Sequence, residues 1–182
     1  MQYIILLLVI LIIIWAVSAH NGLVRLRNRC EEAFSTMDIY LKKRYDLIPN
    51  MVETVKGYAK HESETLEKVI TMRNLALGAR NADERIEGEK QFAGALKGFF
   101  AIAENYPELK ANQNFIDLQN NLKAVENDIA NARKYYNGAV NAYNTKTEVF
   151  PSNIVAKIFS FKRKPLYEVS DASERENVKV QF

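Results

Sequence analysis

The side chains best suited to nucleophilic, acid–base or soft-metal chemistry are few: His20, Cys30 and His61. A zinc site needs three or four such ligands converging, and a bundle-type di-metal centre needs Glu-x-x-His pairs on facing helices. No Glu-x-x-His pair occurs, and the two histidines lie about forty residues apart. His61 falls in the charged run Lys60-His61-Glu62-Ser63-Glu64, which reads as a solvated face. Cys30 falls on an apolar stripe, where a thiol acts as a small hydrophobe. Its neighbour Arg29 would favour a thiolate, but no histidine accompanies the pair in sequence. No glycine-rich phosphate loop is present. The expectation is a protein with no catalytic residues, no cofactor and no metal: not an enzyme.

Two further groups point to surfaces rather than reactions. The last long helical stretch is rich in asparagine, a mediocre helix former. Asn120, Asn127, Asn131 and Asn141 in it are candidates for a neutral hydrogen-bonding face that docks a second bundle. The alternative is an ordinary polar outer face. The tail "SNIVAKIFSFKRKPLYEV" interleaves aromatic and basic residues. Lys157, Phe159, Phe161, Lys162, Arg163 and Lys164 are candidates for an anionic membrane surface. The alternative is a short segment capping the end of a bundle.

These groups must be positioned by helices. The chain has 182 residues with only 7 Gly and 4 Pro, which favours long helices over strands. Residues 3–19, YIILLLVILIIIWAVSA, carry no charge and span roughly 25 Å as a helix, at the short end for a bilayer core. Trp15 sits where an aromatic belt residue belongs. A cleaved signal peptide is the rival, with Val17-Ser18-Ala19 as its cleavage site, but no Lys or Arg precedes the apolar run. A retained anchor, residues 1–19, is therefore expected. Arg25, Arg27, Arg29, Lys42, Lys43 and Arg44 follow the anchor, so the positive-inside rule places the N-terminus outside and the rest in the cytoplasm. A net charge of +3 is too small to argue for nucleic acid.

Apolar residues then recur at helical spacing in four blocks, approximately 20–45, 47–78, 82–105 and 112–150. The last runs Phe115, Leu118, Leu122, Val125, Ile129, Ala132, Tyr136, Ala139, Tyr143, a bundle seam. Pro49 is the difficult residue. Proline inside a helix removes a donor and costs roughly 3 kcal/mol. With Asp46 as N-cap it falls in the first turn of a new helix, where it is tolerated. The adopted reading is a turn near 44–47. The alternative is one kinked rod over 20–78, because Leu41, Ile48 and Val55 nearly keep phase. With the turn, four segments alternate and the tail returns to the membrane. With the rod, only three would follow, leaving the tail far from lipid.

The blocks "HNGLVRLRNRCEEAFSTMDIYLKKRYDLIPNMVETVKGYAKHE", residues 20–62, and "NYPELKANQNFIDLQNNLKAVENDIANARKYYNGAVNAYNTKTEVFP", residues 105–151, resemble the LemA family of bacterial proteins. The departures are Cys30 for an aliphatic, Phe34 for Trp and His20 for Tyr. The resemblance implies one N-terminal membrane anchor and an up-and-down helical bundle. It implies no reaction and carries over no catalytic residue.

The reading is an all-α chain: a transmembrane helix, an up-and-down antiparallel four-helix bundle over 20–151, and a partly basic, aromatic tail over 152–182. It is expected in the bacterial inner membrane as a single-pass scaffold or adaptor. Its expected partners are membrane lipid, copies of itself and other membrane proteins, without nucleic acid. The alternative is a sensory bundle that binds a small ligand and signals through the anchor.

Overall fold

The computed structural model describes residues 1–167. Among these every regular element is a helix: α1 (Gln2–Lys56), α2 (Ser63–Leu77), α3 (Ala82–Asn105), α4 (Pro107–Lys110), α5 (Gln113–Glu148) and α6 (Ser152–Ile158). They form two compact units. The first holds Met1–Met37 and Asn131–Leu166; the second holds Asp38–Ala130 and, among the described residues, Tyr167.

The first unit begins with the apolar start of α1. Side chains from Tyr3 to Ile14 are exposed. Within the described residues, α1 is the one helix long and apolar enough to cross a membrane. Burial begins at Ala19 and follows the helical stripe Leu23, Cys30, Ala33, Met37. The α5 stripe Ala132, Tyr136, Ala139, Val140, Tyr143 is buried as well. The two helices run antiparallel. Phe34 meets Tyr136 edge-on with ring centroids 5.6 Å apart. Further along, Ala19 and Leu23 pack with Val155 and Ala156 of α6.

Beyond α6 the chain turns at Ser160, whose φ is 55°. The segment that follows is gripped through its main chain. The Tyr143 hydroxyl donates to the Lys162 carbonyl and the Tyr136 hydroxyl to the Pro165 carbonyl, each at 2.9 Å. Buried Asn144 both donates to the Lys164 carbonyl and accepts from the Lys164 amide, at 2.9 Å each. In this segment without regular structure, three main-chain carbonyls and one amide are thereby satisfied by side chains.

In the second unit, α2 and α3 approach closely and antiparallel. A Cβ on Gly88 would lie 2.9 Å from the Cα of Ala76, so only glycine fits there. Asn81 caps α3 by accepting from the Glu84 amide at 2.9 Å, and Glu84 accepts from the Arg80 amide at 2.8 Å. The end of α1 and α3 run side by side in the same sense, through Asp38–Arg85, Arg44–Glu89 and Tyr45–Phe92. Asn112 caps α5 at the Phe115 amide and donates to the Tyr58 hydroxyl.

The structure corrects the expected turn at 44–47. α1 continues through Pro49, and the chain reverses instead over 57–62, just past Lys56. Asp46 is therefore no N-cap. The physical reason lies on α2. In a helix the amide of residue 49 would serve the carbonyl of residue 45, and proline has none to offer. Arg73 supplies the missing donor: its Nε donates to the Tyr45 carbonyl at 2.7 Å. The same guanidinium reaches Asp46 at 3.9 Å. α6 packs beside Ala19 and Leu23, at the end of the apolar stretch, although α1 is unbroken.

Candidate functional site

The sequence "KRYDLIP" builds a polar node inside the second unit. Arg44 and Tyr45 occupy the turn between Leu41 and Ile48 on the buried face of α1, so helical spacing forces both inward. Glu89 sits at the corresponding buried position of α3, between Ile86 and Phe92. The guanidinium of Arg44 pairs with the Glu89 carboxylate, and its other terminal nitrogen donates to Glu126 of α5 at 3.1 Å. The Tyr45 hydroxyl donates to the second oxygen of Glu89. The Tyr167 hydroxyl adds a third donor to Glu89, at 3.2 Å. Phe92 covers the face of the guanidinium at 5.0 Å.

Burial works against the charge on Arg44. The two carboxylates outweigh it, and the pKa moves up. Tyr45 is also raised, first by burial and then by the negative charge of Glu89. Both groups are thus held in their ordinary protonation states. Glu89 is surrounded by donors and Arg44 is fixed in charge, so the node has neither a free base nor a nucleophile. It fixes the register of α1, α3 and α5.

The chemically reactive residues fare similarly. Cys30 is buried, and burial pushes its thiol pKa up, away from the thiolate. His20 packs edge-on against Phe159 at 4.5 Å and Phe161 at 5.5 Å. His61 is exposed in the reversal after α1. Among the described residues no group of His, Cys, Asp and Glu is arranged to hold a metal.

The surface candidates are placed as follows. Asn120, Asn127, Asn131 and Asn141 are all exposed on α5, on one face by their helical spacing. Asn120 also borders an open groove of about 460 Å³ with Phe100, Gln119, Leu122, Lys123 and Glu126. The tail candidates separate. Lys157 and Phe159 are exposed at the end of α6. Phe161 turns back onto the apolar cluster of Ala19 and Leu23, beneath Arg27 at 5.6 Å. Lys162, exposed itself, belongs to the gripped segment; Arg163 pairs with Glu148 at 3.2 Å and Lys164 with Glu31 at 3.5 Å.

Sequence reasoning did not find Glu89, Glu126, Arg73 or Tyr167. A signal for the first existed: an acidic residue at core spacing in α3, with an arginine at core spacing in α1. Tyr167 carried none, because a residue in an irregular segment has no periodicity to mark its side.

The sequence profile of the LemA family matches residues 33–182. A curated relative, Protein LemA of Metamycoplasma hominis, is 29% identical over 170 residues, covering 90% of this chain and 74% of the relative. Magnetosome protein MamQ of Magnetospirillum gryphiswaldense is 21% identical over 181 residues, 85% of this chain and 66% of the relative. Magnetosome protein MamQ 2 of Paramagnetospirillum magneticum is 30% identical over 83 residues, 46% of this chain and 30% of the relative. The helical architecture, the apolar start of α1 and the matched length agree: the chain belongs to the LemA family.

Proposed function

We propose that this chain is a membrane-anchored helical scaffold or adaptor, in a bacterial inner membrane, that self-associates and organises membrane or partner proteins without catalysing a reaction. One observation carries the reading. The exposed apolar start of α1 continues without interruption into packed helices, where buried Arg44 pairs with Glu89 and Glu126. A helix that enters lipid and continues into packed helices suits a structural role. We take the second unit as an up-and-down four-helix arrangement of the end of α1, α2, α3 and the start of α5. The pairings of Gly88 with Ala76, Arg44 with Glu126 and Asn112 with Tyr58 support it. The basic residues after the span support an N-terminus outside and both units in the cytoplasm.

Self-association is assigned to the exposed asparagine row of α5, a face that offers hydrogen bonds without like-charge repulsion. Replacing Asn120, Asn127, Asn131 and Asn141 with Glu should leave helical circular dichroism unchanged and remove crosslinked species in native membranes. Unchanged crosslinking would move the association surface elsewhere; no crosslinked species in the parent chain would remove self-association altogether.

A second reading, a sensory bundle, is favoured by the groove at Phe100, Leu122 and Glu126, because Glu126 also touches Arg44. A ligand there would act on the buried node. Selective thermal stabilisation by one class of small metabolite, lost in a Glu126→Gln variant, would support it.

A further inference from the structure

We propose that α6 and the turn leading into it form a second membrane contact, an apolar collar lying in the headgroup region beside the point where α1 leaves the bilayer. The inference rests on reading the start of α1 as a membrane span. Val155 and Ala156 hold α6 against Ala19 and Leu23, and Ala16 packs on the same cluster. Ala16 and Ala19 belong to the last turn of the charge-free stretch. α6 therefore sits at the height where that stretch ends.

Its outward side is apolar where a water-facing helix would be polar. Phe150, Ile154, Ile158 and Phe159 are 79%, 48%, 70% and 56% exposed. Ile154 and Ile158 are one turn apart on one face. Lys157 is the cation among them, with a stem long enough to reach the phosphates while its neighbours lie deeper. Exposed apolar groups on this scale mark an interaction surface. The partner is a lipid surface, because α6 packs directly on Ala16 and Ala19 of the apolar stretch, which the same reading already places in lipid.

The collar stops at Ser160. From there the gripped segment leads away along α1, from His20 beside Phe159 to Glu31 beside Lys164. Eleven helical residues separate those two points, roughly 16 Å along the axis. Lys162, Arg163 and Lys164 thus lie outside the collar, in contrast to the sequence expectation for the whole tail.

The test uses the full chain, carrying Cys30→Ala, in phosphatidylcholine–phosphatidylglycerol vesicles. Single cysteines at Leu8→Cys, Ile158→Cys, Lys162→Cys and Ser63→Cys carry an environment-sensitive fluorophore. Lipids with spin labels at shallow or deep positions quench it. The expected result is deep quenching at Leu8, shallow quenching with blue-shifted emission at Ile158, and water-like emission at Lys162 and Ser63. The Ile158 signal should persist in high salt, because apolar insertion is not screened. Deep quenching at Leu8 with water-like emission at Ile158 overturns the collar and leaves the span standing. Water-like emission at Leu8 overturns the span and the collar with it. Equal shallow quenching at Ile158 and Lys162 overturns the division at Ser160, and loss of the Ile158 signal in salt overturns insertion.

Discussion

The Nε of Arg73 donates to the Tyr45 carbonyl, the acceptor that Pro49 leaves without its helical donor. One arginine on a neighbouring helix thus replaces a backbone amide and lets α1 continue through a proline. The arrangement predicts a non-additive pair of substitutions. Arg73→Ala alone leaves a carbonyl short of a partner and should cost about 1–3 kcal/mol. Pro49→Ala restores the amide. In the double variant Arg73→Ala should therefore cost clearly less, as read from denaturant midpoints in a double-mutant cycle. Strict additivity would show that Arg73 contributes by another route, such as its pair with Asp46.

The asymmetry between breaking and replacing a buried ion pair gives the second prediction. Glu89→Ala strands the Arg44 charge with only half-exposed Glu126 and should cost about 3–5 kcal/mol. Arg44→Met combined with Glu89→Leu should recover most of that loss, by the same comparison. Chemical denaturation of both variants checks it. A double variant as unstable as the single one would mean that the node contributes attraction beyond its desolvation cost.

The hydroxyl of Tyr45 supplies a pH dependence. Its pKa in the folded chain is raised above its ordinary value of about 10, through burial and Glu89. The folded state then holds a proton that the unfolded state gives up. Its stabilising contribution is complete below about pH 10 and declines as pH rises from there toward the folded pKa. Tyr45→Phe should be less stable at neutral pH, by about 1 kcal/mol for a lost hydrogen bond, and should show a shallower alkaline decline. An identical alkaline slope in both proteins would contradict this assignment.

How much of this was legible in the sequence depends on periodicity. The apolar stripes of α1, α3 and α5 were readable because one face of each is buried. Pro49 misled because its compensation lies in Arg73, far along the chain, and local rules see only local partners. The fate of the tail was likewise illegible. The grip of Tyr136, Tyr143 and Asn144 on the main chain of residues 162–165 is indifferent to the side chains there. The sequence shows Lys162–Lys164 as a basic run but carries no sign that Arg163 pairs with Glu148 and Lys164 with Glu31.

Topology is tested at Ser63, exposed at the start of α2. In a Cys30→Ala background, Ser63→Cys should resist an impermeant maleimide in intact cells and react after lysis. Labelling before lysis would place the helical units outside and reverse the orientation.

Self-association in the membrane is the claim on which the scaffold reading stands, and the mass of the native particle measures it most directly. The chain should be extracted with its own lipids into polymer-bounded discs, without detergent, and weighed particle by particle. The account predicts discs holding several copies of the 20.9 kDa chain, collapsing toward single copies when Asn120, Asn127, Asn131 and Asn141 are replaced with Glu. One copy per disc at every protein-to-lipid ratio would contradict it.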